Sequence, residues 1–277
     1  MRSNALIAGL QMLRDRRRDV VQARQRRAAI TPSEPAQRAA ADLRRSGYLV
    51  VSGYYSAERC AALRGEIDRI MAEQPDVVQR DKVDADHRVF GAEHASTAIA
   101  AFHDDDFLHG AGEAYGGRAL VNHTTLAARL RARPGNLGSG QGWHRDAFHF
   151  QYKAMIYLTD VGPENGPFQF LADSHRPLTI FADMLRGRLD APPLTRLSEA
   201  QIARLLERDQ ARLTTFSAAA GTLILFDSSA IHRGSPIGQG VRYALTNYYY
   251  EPHQLVDAMK EKFFPLARAR ARSSPVT

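Results

Sequence analysis

The sequence of 277 residues contains a single cysteine, Cys60, and a single tryptophan. One cysteine excludes an internal disulfide bond and is typical of proteins of the reducing cytosol, so a cytoplasmic location is expected. No apolar run approaches the roughly 18 residues that a transmembrane helix needs, so no transmembrane segment is predicted. The short apolar stretch at 5–13 is followed by dense arginines, which argues against a secretory signal peptide.

Basic residues are concentrated at the N-terminus. Residues 1–46 contain 11 arginines and 4 acidic residues, which accounts for the whole net charge of +7. Because the rest of the chain is neutral overall, a nucleic-acid-binding surface is not expected there. Leu6, Leu10 and Leu13 predict a helix within 4–27. We interpret residues 1–46 as a basic helical arm that packs on the domain or on a second copy in a homo-oligomer; an anchor on an acidic membrane is the alternative.

Residues 47–277 are expected to form one domain, since barrels and sandwiches often reach this length. Helices are predicted at 35–46, 56–73 and 96–115, with Ser33 and Ser56 as the N-terminal caps of the first two. Strands are predicted at 48–54 and 119–131. Strands then dominate up to residue 250, except for a Leu- and Arg-rich insert at about 177–209 that we expect to form two short helices. Strands with Gly- and Pro-marked turns and flanking helices predict a mainly β fold with a double-stranded β-helix core, the cupin-like jelly roll.

Three residues have the spacing of a metal site. Trp143-His144-Arg145-Asp146 places a histidine and a carboxylate two positions apart, and residues i and i+2 of a strand share a face. His232 follows the apolar run 221–227, which is predicted to be a buried strand, and it can join the first two residues only if that strand lies beside them. Two histidines and one carboxylate that leave coordination positions open are the ligand set of non-heme Fe(II) oxygenases. The sequence therefore predicts an iron site made of His144, Asp146 and His232, although a single buried histidine is more often structural.

Further motifs resemble the phytanoyl-CoA dioxygenase-like family of Fe(II)- and 2-oxoglutarate-dependent oxygenases over roughly residues 45–250. Besides the three ligands, these motifs are Glu164-Asn165-Gly166-Pro167, Ala172-Asp173-Ser174-His175, Gly221-Thr222, His232-Arg233-Gly234-Ser235 and Arg242. The resemblance implies that Fe(II), 2-oxoglutarate and O2 are used to hydroxylate an unactivated C–H bond, with release of succinate and CO2. The small-molecule substrate would be of natural-product, lipid or acyl, or amino-acid or sugar type. Arg242 would bind the distal carboxylate of 2-oxoglutarate, which suits a planar guanidinium.

Two positions bear on the chemistry that the resemblance implies. Family members often carry Ser or Thr two residues after the arginine, where this chain has Ala244, so a hydroxyl from elsewhere or a tyrosine would have to assist. Related halogenases lack the carboxylate ligand, and the presence of Asp146 therefore favours hydroxylation. Epimerisation or desaturation by the same iron chemistry, and a non-catalytic metal-binding jelly roll, are the alternatives.

Two further residues are candidates for the co-substrate site. Arg129 would reach 2-oxoglutarate or the substrate if its face of the strand 119–131 points inward. Met155 would do so if the odd-numbered residues of the strand 153–158 face the iron, as alignment with the family favours. Core packing and a solvent-facing arginine are the alternatives. The insert at 177–209 is expected to cover the substrate, since loops commonly carry specificity.

Overall fold

The computed structural model describes residues 2–25, 31–207 and 209–255. The predicted end of the first helix at 26–27 and the basic tail with Arg268, Arg270 and Arg272 lie outside these residues. Among the helices of these ranges, none has the length and apolar character needed to cross a membrane.

Seven helices are described, and serine or aspartate side chains cap the starts of five of them. They are α1 (Arg2–Gln25), α2 (Glu34–Ser46), α3 (Ala57–Glu73), α4 (Thr97–His103), α5 (Asp106–Gly116), α6 (Pro177–Leu185) and α7 (Glu199–Leu206). Ser33 and Ser56 cap α2 and α3 as the sequence predicts, because each hydroxyl accepts a backbone N–H that the helix leaves unpaired. The helix predicted over 96–115 is instead two helices, since the Asp105 carboxylate accepts the N–H groups of Phe107 and Leu108 and starts a new helix there.

Within the described residues, ten strands form two antiparallel sheets, and the jelly-roll prediction is confirmed. They are β1 (Tyr48–Val51), β2 (Gln79–Arg80), β3 (Asp86–Phe90), β4 (Val121–Arg131), β5 (Tyr152–Tyr157), β6 (Phe168–Leu171), β7 (Leu213–Phe216), β8 (Leu223–Asp227), β9 (His232–Gly234) and β10 (Val241–Tyr250). The larger sheet has the order β1-β8-β5-β10-β4-β3-β2, and the smaller sheet has the order β7-β6-β9. The insert forms the two short helices expected, α6 and α7.

Alternation along the strands of the larger sheet separates two cores. Ala154 and Ile156 of β5 pack under helices α2–α5. Met155 and Tyr157 of the same strand face the smaller sheet and contact a cluster that includes Phe168 and Phe226. Both faces of the sheet are therefore buried, and the cavity that holds the candidate site opens between the two sheets.

Helix α1 packs against the insert. Ala5 is buried in a cluster with Ile180 and Met184 of α6, and a Cβ at Gly9 would overlap the ring of Phe181. At its other end, Asp19 is 3.2 Å from Nη1 of Arg118. The sequence suggested that the leucines of α1 form its packing face, but Leu6 and Leu10 are 46% and 54% exposed. The small residues of α1 make the contact instead.

Glu93 is a buried carboxyl group behind β4 whose burial affects stability. Its Oε2 accepts the backbone N–H of Thr125 at 2.9 Å, and its Oε1 lies 3.6 Å from Nε2 of His94. Burial raises the pKa of Glu93 from 4.5 to about 7. Between these pH values the folded protein holds a proton that the unfolded chain releases, so this group makes the protein less stable as pH rises.

We therefore expect Glu93→Gln, which cannot ionise, to gain stability relative to the native protein between pH 5 and pH 8. The gain should be on the order of 1–3 kcal/mol, because a pKa shift measures the difference in free energy between protonation states. Urea unfolding of both proteins at the two pH values measures it. A difference between the two proteins that is independent of pH would contradict this role of Glu93.

Candidate metal centre

Backbone pairing brings the three predicted ligands together. His144 and His232 exchange both backbone hydrogen bonds, at 3.0 and 2.8 Å, and the N–H of Asp146 donates to the carbonyl of Ser228 at 3.0 Å. The pairing is an isolated bridge and not the regular strand that the spacing predicts, but the i, i+2 alternation still holds. One ligand atom from each of the three residues lies within 4.8 Å of the others. Among the residues that the structure describes, this is the cluster of histidines and carboxylates close enough together to hold a metal ion.

The insert is bonded directly to the segment that carries the first ligands. The N–H of Arg145 donates to the carbonyl of Thr195 at 2.8 Å, and the N–H of Leu197 donates to the carbonyl of Trp143 at 3.0 Å. His144 therefore lies between β9 on one side and the insert on the other. Two short segments, 143–146 and 195–197, therefore continue the smaller sheet beyond β9 at the site.

Both histidine rings are oriented for metal binding through Nε2. Nδ1 of His144 lies 2.9 Å from the carbonyl oxygen of Gly142, and Nδ1 of His232 lies 2.9 Å from that of Ala230. A carbonyl oxygen can only accept, so each Nδ1 carries the proton and each Nε2 keeps its lone pair. Hydrogen bonds of this kind commonly fix the tautomer of metal-binding histidines.

Burial keeps both histidines neutral. It lowers the pKa of His144, and it lowers that of His232 to about 3, with the nearby His144 adding to the effect. A metal ligand must be the neutral imidazole, so near pH 7 neither ring needs to lose a proton before it binds. The chemistry of the donors, two imidazoles and one carboxylate, fits Fe(II).

Lys153 holds the carboxylate ligand in place. Its Nζ lies 2.5 Å from Oδ2 of Asp146 and 3.9 Å from the centre of the Tyr248 ring. Burial by itself would raise the pKa of Asp146, but Lys153 and the two histidines lower it by more, so the carboxylate stays ionised. Since Lys153 occupies Oδ2, the other oxygen, Oδ1, is the one left for a metal; it is 3.8 Å from Nε2 of His144.

We expect Lys153→Met to weaken Fe(II) binding by about 10–100-fold, the usual cost of removing a group that orients a metal ligand. Methionine keeps the length and the apolar contacts of the side chain, so the fold should be retained. Metal titration by calorimetry under anaerobic conditions measures the affinity. Unchanged affinity would show that Asp146 is positioned by its backbone alone.

The ligands line a cavity of about 780 Å³. Met155 also lines it, as the sequence predicts, because the odd-numbered residues of β5 face inward. Polar residues that the sequence interpretation did not single out contribute much of the wall: Gln79, Arg88, Ser139, Gln141, Gln151, Tyr248, Tyr250 and Gln254. His149 and Arg196 also line it. Alternation along β10 could have indicated the tyrosines, since Arg242, Thr246, Tyr248 and Tyr250 share one face.

Arg242 is buried in the wall of this cavity, with 4% of its surface exposed. It donates from Nη1 to the carbonyl of Gly166 and forms no ion pair with a carboxylate of the described chain. Burial lowers its pKa, although a guanidinium stays charged at neutral pH. A buried cation without a carboxylate partner is a site for an anion that comes with a ligand.

Arg129 is not brought to the cavity. Its Nη1 lies 2.6 Å from Oδ1 of Asp68 on α3, and its Nη2 lies 3.2 Å from Nδ1 of His87. The face of β4 that points inward carries Leu126, which lines the cavity, and Ala128. The sequence interpretation assumed the opposite face, and Arg129 instead links the larger sheet to a helix.

A family model described as Phytanoyl-CoA dioxygenase (PhyH) matches residues 43–244, which include the three candidate ligands and Arg242. The ectoine dioxygenase of Stutzerimonas stutzeri (strain A1501) is 26% identical over 245 residues, covering 79% of this chain and 77% of that protein. The chain is thus related to curated proteins over most of its length.

Two solved structures show the same fold. EctD from S. alaskensis with 2-oxoglutarate and 5-hydroxyectoine has a TM-score of 0.61 at 20% identity, covering 82% of this chain and 80% of that one. The epimerase SnoN in complex with Fe3+, alpha ketoglutarate and nogalamycin RO has a TM-score of 0.58 at 19% identity, covering 78% and 83%. The family match confirms the resemblance seen in the sequence, and the two solved structures confirm the fold.

Proposed function

We propose that this protein, which belongs to the phytanoyl-CoA dioxygenase family, hydroxylates an unactivated C–H bond of a small molecule that carries an acidic group. The observation that supports this best is the convergence of His144, Asp146 and His232 on one side of a cavity of about 780 Å³ that also contains the buried Arg242. A non-catalytic metal-binding protein would have no use for a buried arginine that forms no ion pair with a carboxylate of the described residues.

Each of these residues has a distinct role in the proposal. His144 and His232 bind Fe(II) through Nε2, and Asp146 binds it through Oδ1 while Lys153 holds Oδ2. Arg242 binds the distal carboxylate of 2-oxoglutarate, and Met155 forms part of the wall beside it. With both groups bound, the centre supplies O2 activation coupled to conversion of 2-oxoglutarate into succinate and CO2. The chain's own contribution is to orient these groups and to exclude water from them.

The charge of the cavity supports an acidic substrate. Among the described residues that line it there are four side-chain cations, and two of these are ion-paired, Lys153 with Asp146 and Arg88 with Asp86, so that Arg196 and Arg242 remain. Arg196, from the insert, donates to the carbonyls of Gly140 and Gln141 at 3.0 and 3.1 Å and forms no ion pair with a described carboxylate. Fe(II) would add two positive charges and 2-oxoglutarate two negative ones, so a positive excess is left for the substrate.

The relatives suggest where to begin. One relative is named ectoine dioxygenase and one solved neighbour was crystallised with 5-hydroxyectoine, so ectoine is the first compound to test on this chain. Another neighbour is an epimerase, which keeps epimerisation as the second candidate outcome. The carboxylate ligand Asp146 favours oxygen transfer to carbon over halogenation.

Anaerobic titration of the purified protein with Fe(II) and then with 2-oxoglutarate tests the proposal. The weak visible charge-transfer band of the chelate should appear, and ectoine together with matched pairs of acids and their amides can then be screened by succinate release. We expect acids to stimulate succinate formation more than their amides. Folded protein that binds iron but gives no band would support the non-catalytic alternative.

We also propose an organisation and a location for the chain. Residues 1–46 would form an arm and residues 47–277 the oxygenase domain, with the insert at 177–209 over the substrate. Self-association through α1 is supported by Leu6, Ile7 and Leu10, which are all about half exposed, and light scattering of the full chain gives the mass that decides it. The single cysteine, which is buried, supports a cytoplasmic location.

A further inference from the structure

We propose that Ser139 and Arg88 complete the binding site for the distal carboxylate of 2-oxoglutarate, where Arg242 acts together with them. This inference rests on the proposed function. Two residues after Arg242, where family members often have a hydroxyl, this chain has Ala244, and the two proposed residues take the place of that hydroxyl. The structure places another hydroxyl and a second guanidinium beside Arg242, both from parts of the chain distant in sequence.

The register of the larger sheet leads Arg88 toward this place. Arg88 on β3 is opposite Ala128 on β4, and Ala128 is opposite Ala244 on β10. The two alanines leave the sheet surface open, so a long side chain from β3 can extend across it. Nη2 of Arg88 donates to Oγ of Ser139 at 3.1 Å. Its Nε donates to Oδ2 of Asp86 at 2.9 Å, and Asp86 lies in the same row across the sheet as Arg242.

Gly234 makes room for Ser139 next to Arg242. A Cβ built at Gly234 would lie 2.8 Å from Cβ of Ser139 and 3.0 Å from Nη2 of Arg242. A side chain at position 234 would therefore overlap both Ser139 and the Arg242 guanidinium, so the glycine lets both groups approach the same space. The loop is fixed there, because the N–H of Gly234 donates to the carbonyl of Ser139 at 2.9 Å.

The donors suit a carboxylate. Oγ of Ser139 already accepts from Arg88, so its own proton is free to be donated. Arg242 has no carboxylate partner of its own in the described chain, and Asp86 balances the charge of Arg88. A carboxylate placed between them would accept from one hydroxyl and at least one guanidinium, which gives short, charge-assisted hydrogen bonds. A co-substrate without this distal carboxylate would form no hydrogen bonds with the hydroxyl and the guanidinium groups.

The test compares 2-oxoglutarate with 2-oxobutyrate, which has the same chelating end and lacks the distal carboxylate. Dissociation constants are read from the charge-transfer band of the Fe(II) protein without O2, so turnover is not required. We expect Ser139→Ala to weaken 2-oxoglutarate by about fivefold and Arg88→Gln by about 10–100-fold. Binding of 2-oxobutyrate should change less than about twofold in either variant, because it makes neither contact.

Arg80→Gln on the neighbouring strand β2 is the matched control, since Arg80 is 48% exposed and pairs with Asp84; it should bind both ligands as the native protein does. If Arg88→Gln does not fold, Ser139→Ala, which removes one oxygen atom, decides. An equal loss for both ligands, or no loss for either, would overturn the inference while the proposed function stands. Native protein that gives no band with 2-oxoglutarate would overturn both.

Discussion

Replacing His232 with alanine is expected to abolish Fe(II) binding at the site and to reduce succinate formation by more than about 100-fold. Loss of a group that merely orients a ligand costs about 10–100-fold in metal affinity, and loss of a direct ligand costs more. The ring of His232 is buried and packs against those of Phe168 and Phe226. Alanine therefore leaves a cavity where the imidazole was and supplies no metal ligand. Iron titration and succinate release measure the two effects, and circular dichroism checks the fold.

His253→Ala serves as the matched control, because this histidine is half exposed and lies outside the cavity. It should bind iron and form succinate as the native protein does. Native-like iron binding or turnover in His232→Ala would disprove the assignment of this ligand. Loss of both in the two variants would show that the measurement reports general damage to the fold.

Replacing Arg242 with alanine is expected to raise the dissociation constant for 2-oxoglutarate by about 100–4000-fold. The variant would leave the distal carboxylate in a buried site without its main partner, and breaking a buried ion pair commonly costs about 3–5 kcal/mol. Iron affinity should change little, because Arg242 makes no contact with the three ligands. Anaerobic titration with 2-oxoglutarate after saturation with Fe(II) measures the two constants separately.

Arg242→Lys is the informative companion variant. It keeps the charge and loses the planar fork, so its dissociation constant should lie between those of the native protein and the alanine variant. If alanine leaves the dissociation constant unchanged, a different residue binds the distal carboxylate. If iron affinity falls by the same factor as 2-oxoglutarate affinity, Arg242 maintains the shape of the cavity and does not contact the co-substrate.

The parts that could be predicted from sequence depend on spacing within a few residues. The i, i+2 pair His144 and Asp146 and the caps Ser33 and Ser56 are local patterns, and each lies where the pattern places it. Asp105 was equally local, but the helical periodicity of 96–115 continued through it and hid the break. The convergence of His232 on the first two ligands followed from the family resemblance, since no local pattern states which strands are neighbours.

The residues that were missed or misplaced depend on sheet register. Arg88 donates to Ser139 from a row of the sheet in which the neighbouring strands carry Ala128 and Ala244, and this row becomes visible once the strand order is known. The sequence could not predict which face of β4 carries Arg129. Residues 123–128 are all buried, so this strand lacks the alternation of polar and apolar residues that would distinguish its two faces. Lys153 lies on the odd-numbered face of β5, which the sequence interpretation turned toward the iron, but its ion pair with Asp146 becomes visible only in the structure.

The backbone bonds between the insert and Trp143 and Arg145 have a consequence for how substrate choice can change in this protein. The segment that would select the substrate also forms one flank of the first iron ligand. Exchanging residues 177–209 for those of a relative would replace the segment proposed to cover the substrate. It would also replace the backbone groups that hold the chain on one side of His144. We expect such chimaeras to lose metal affinity unless the bonds from Thr195 and Leu197 are preserved, which ties the evolution of specificity to that of the metal centre.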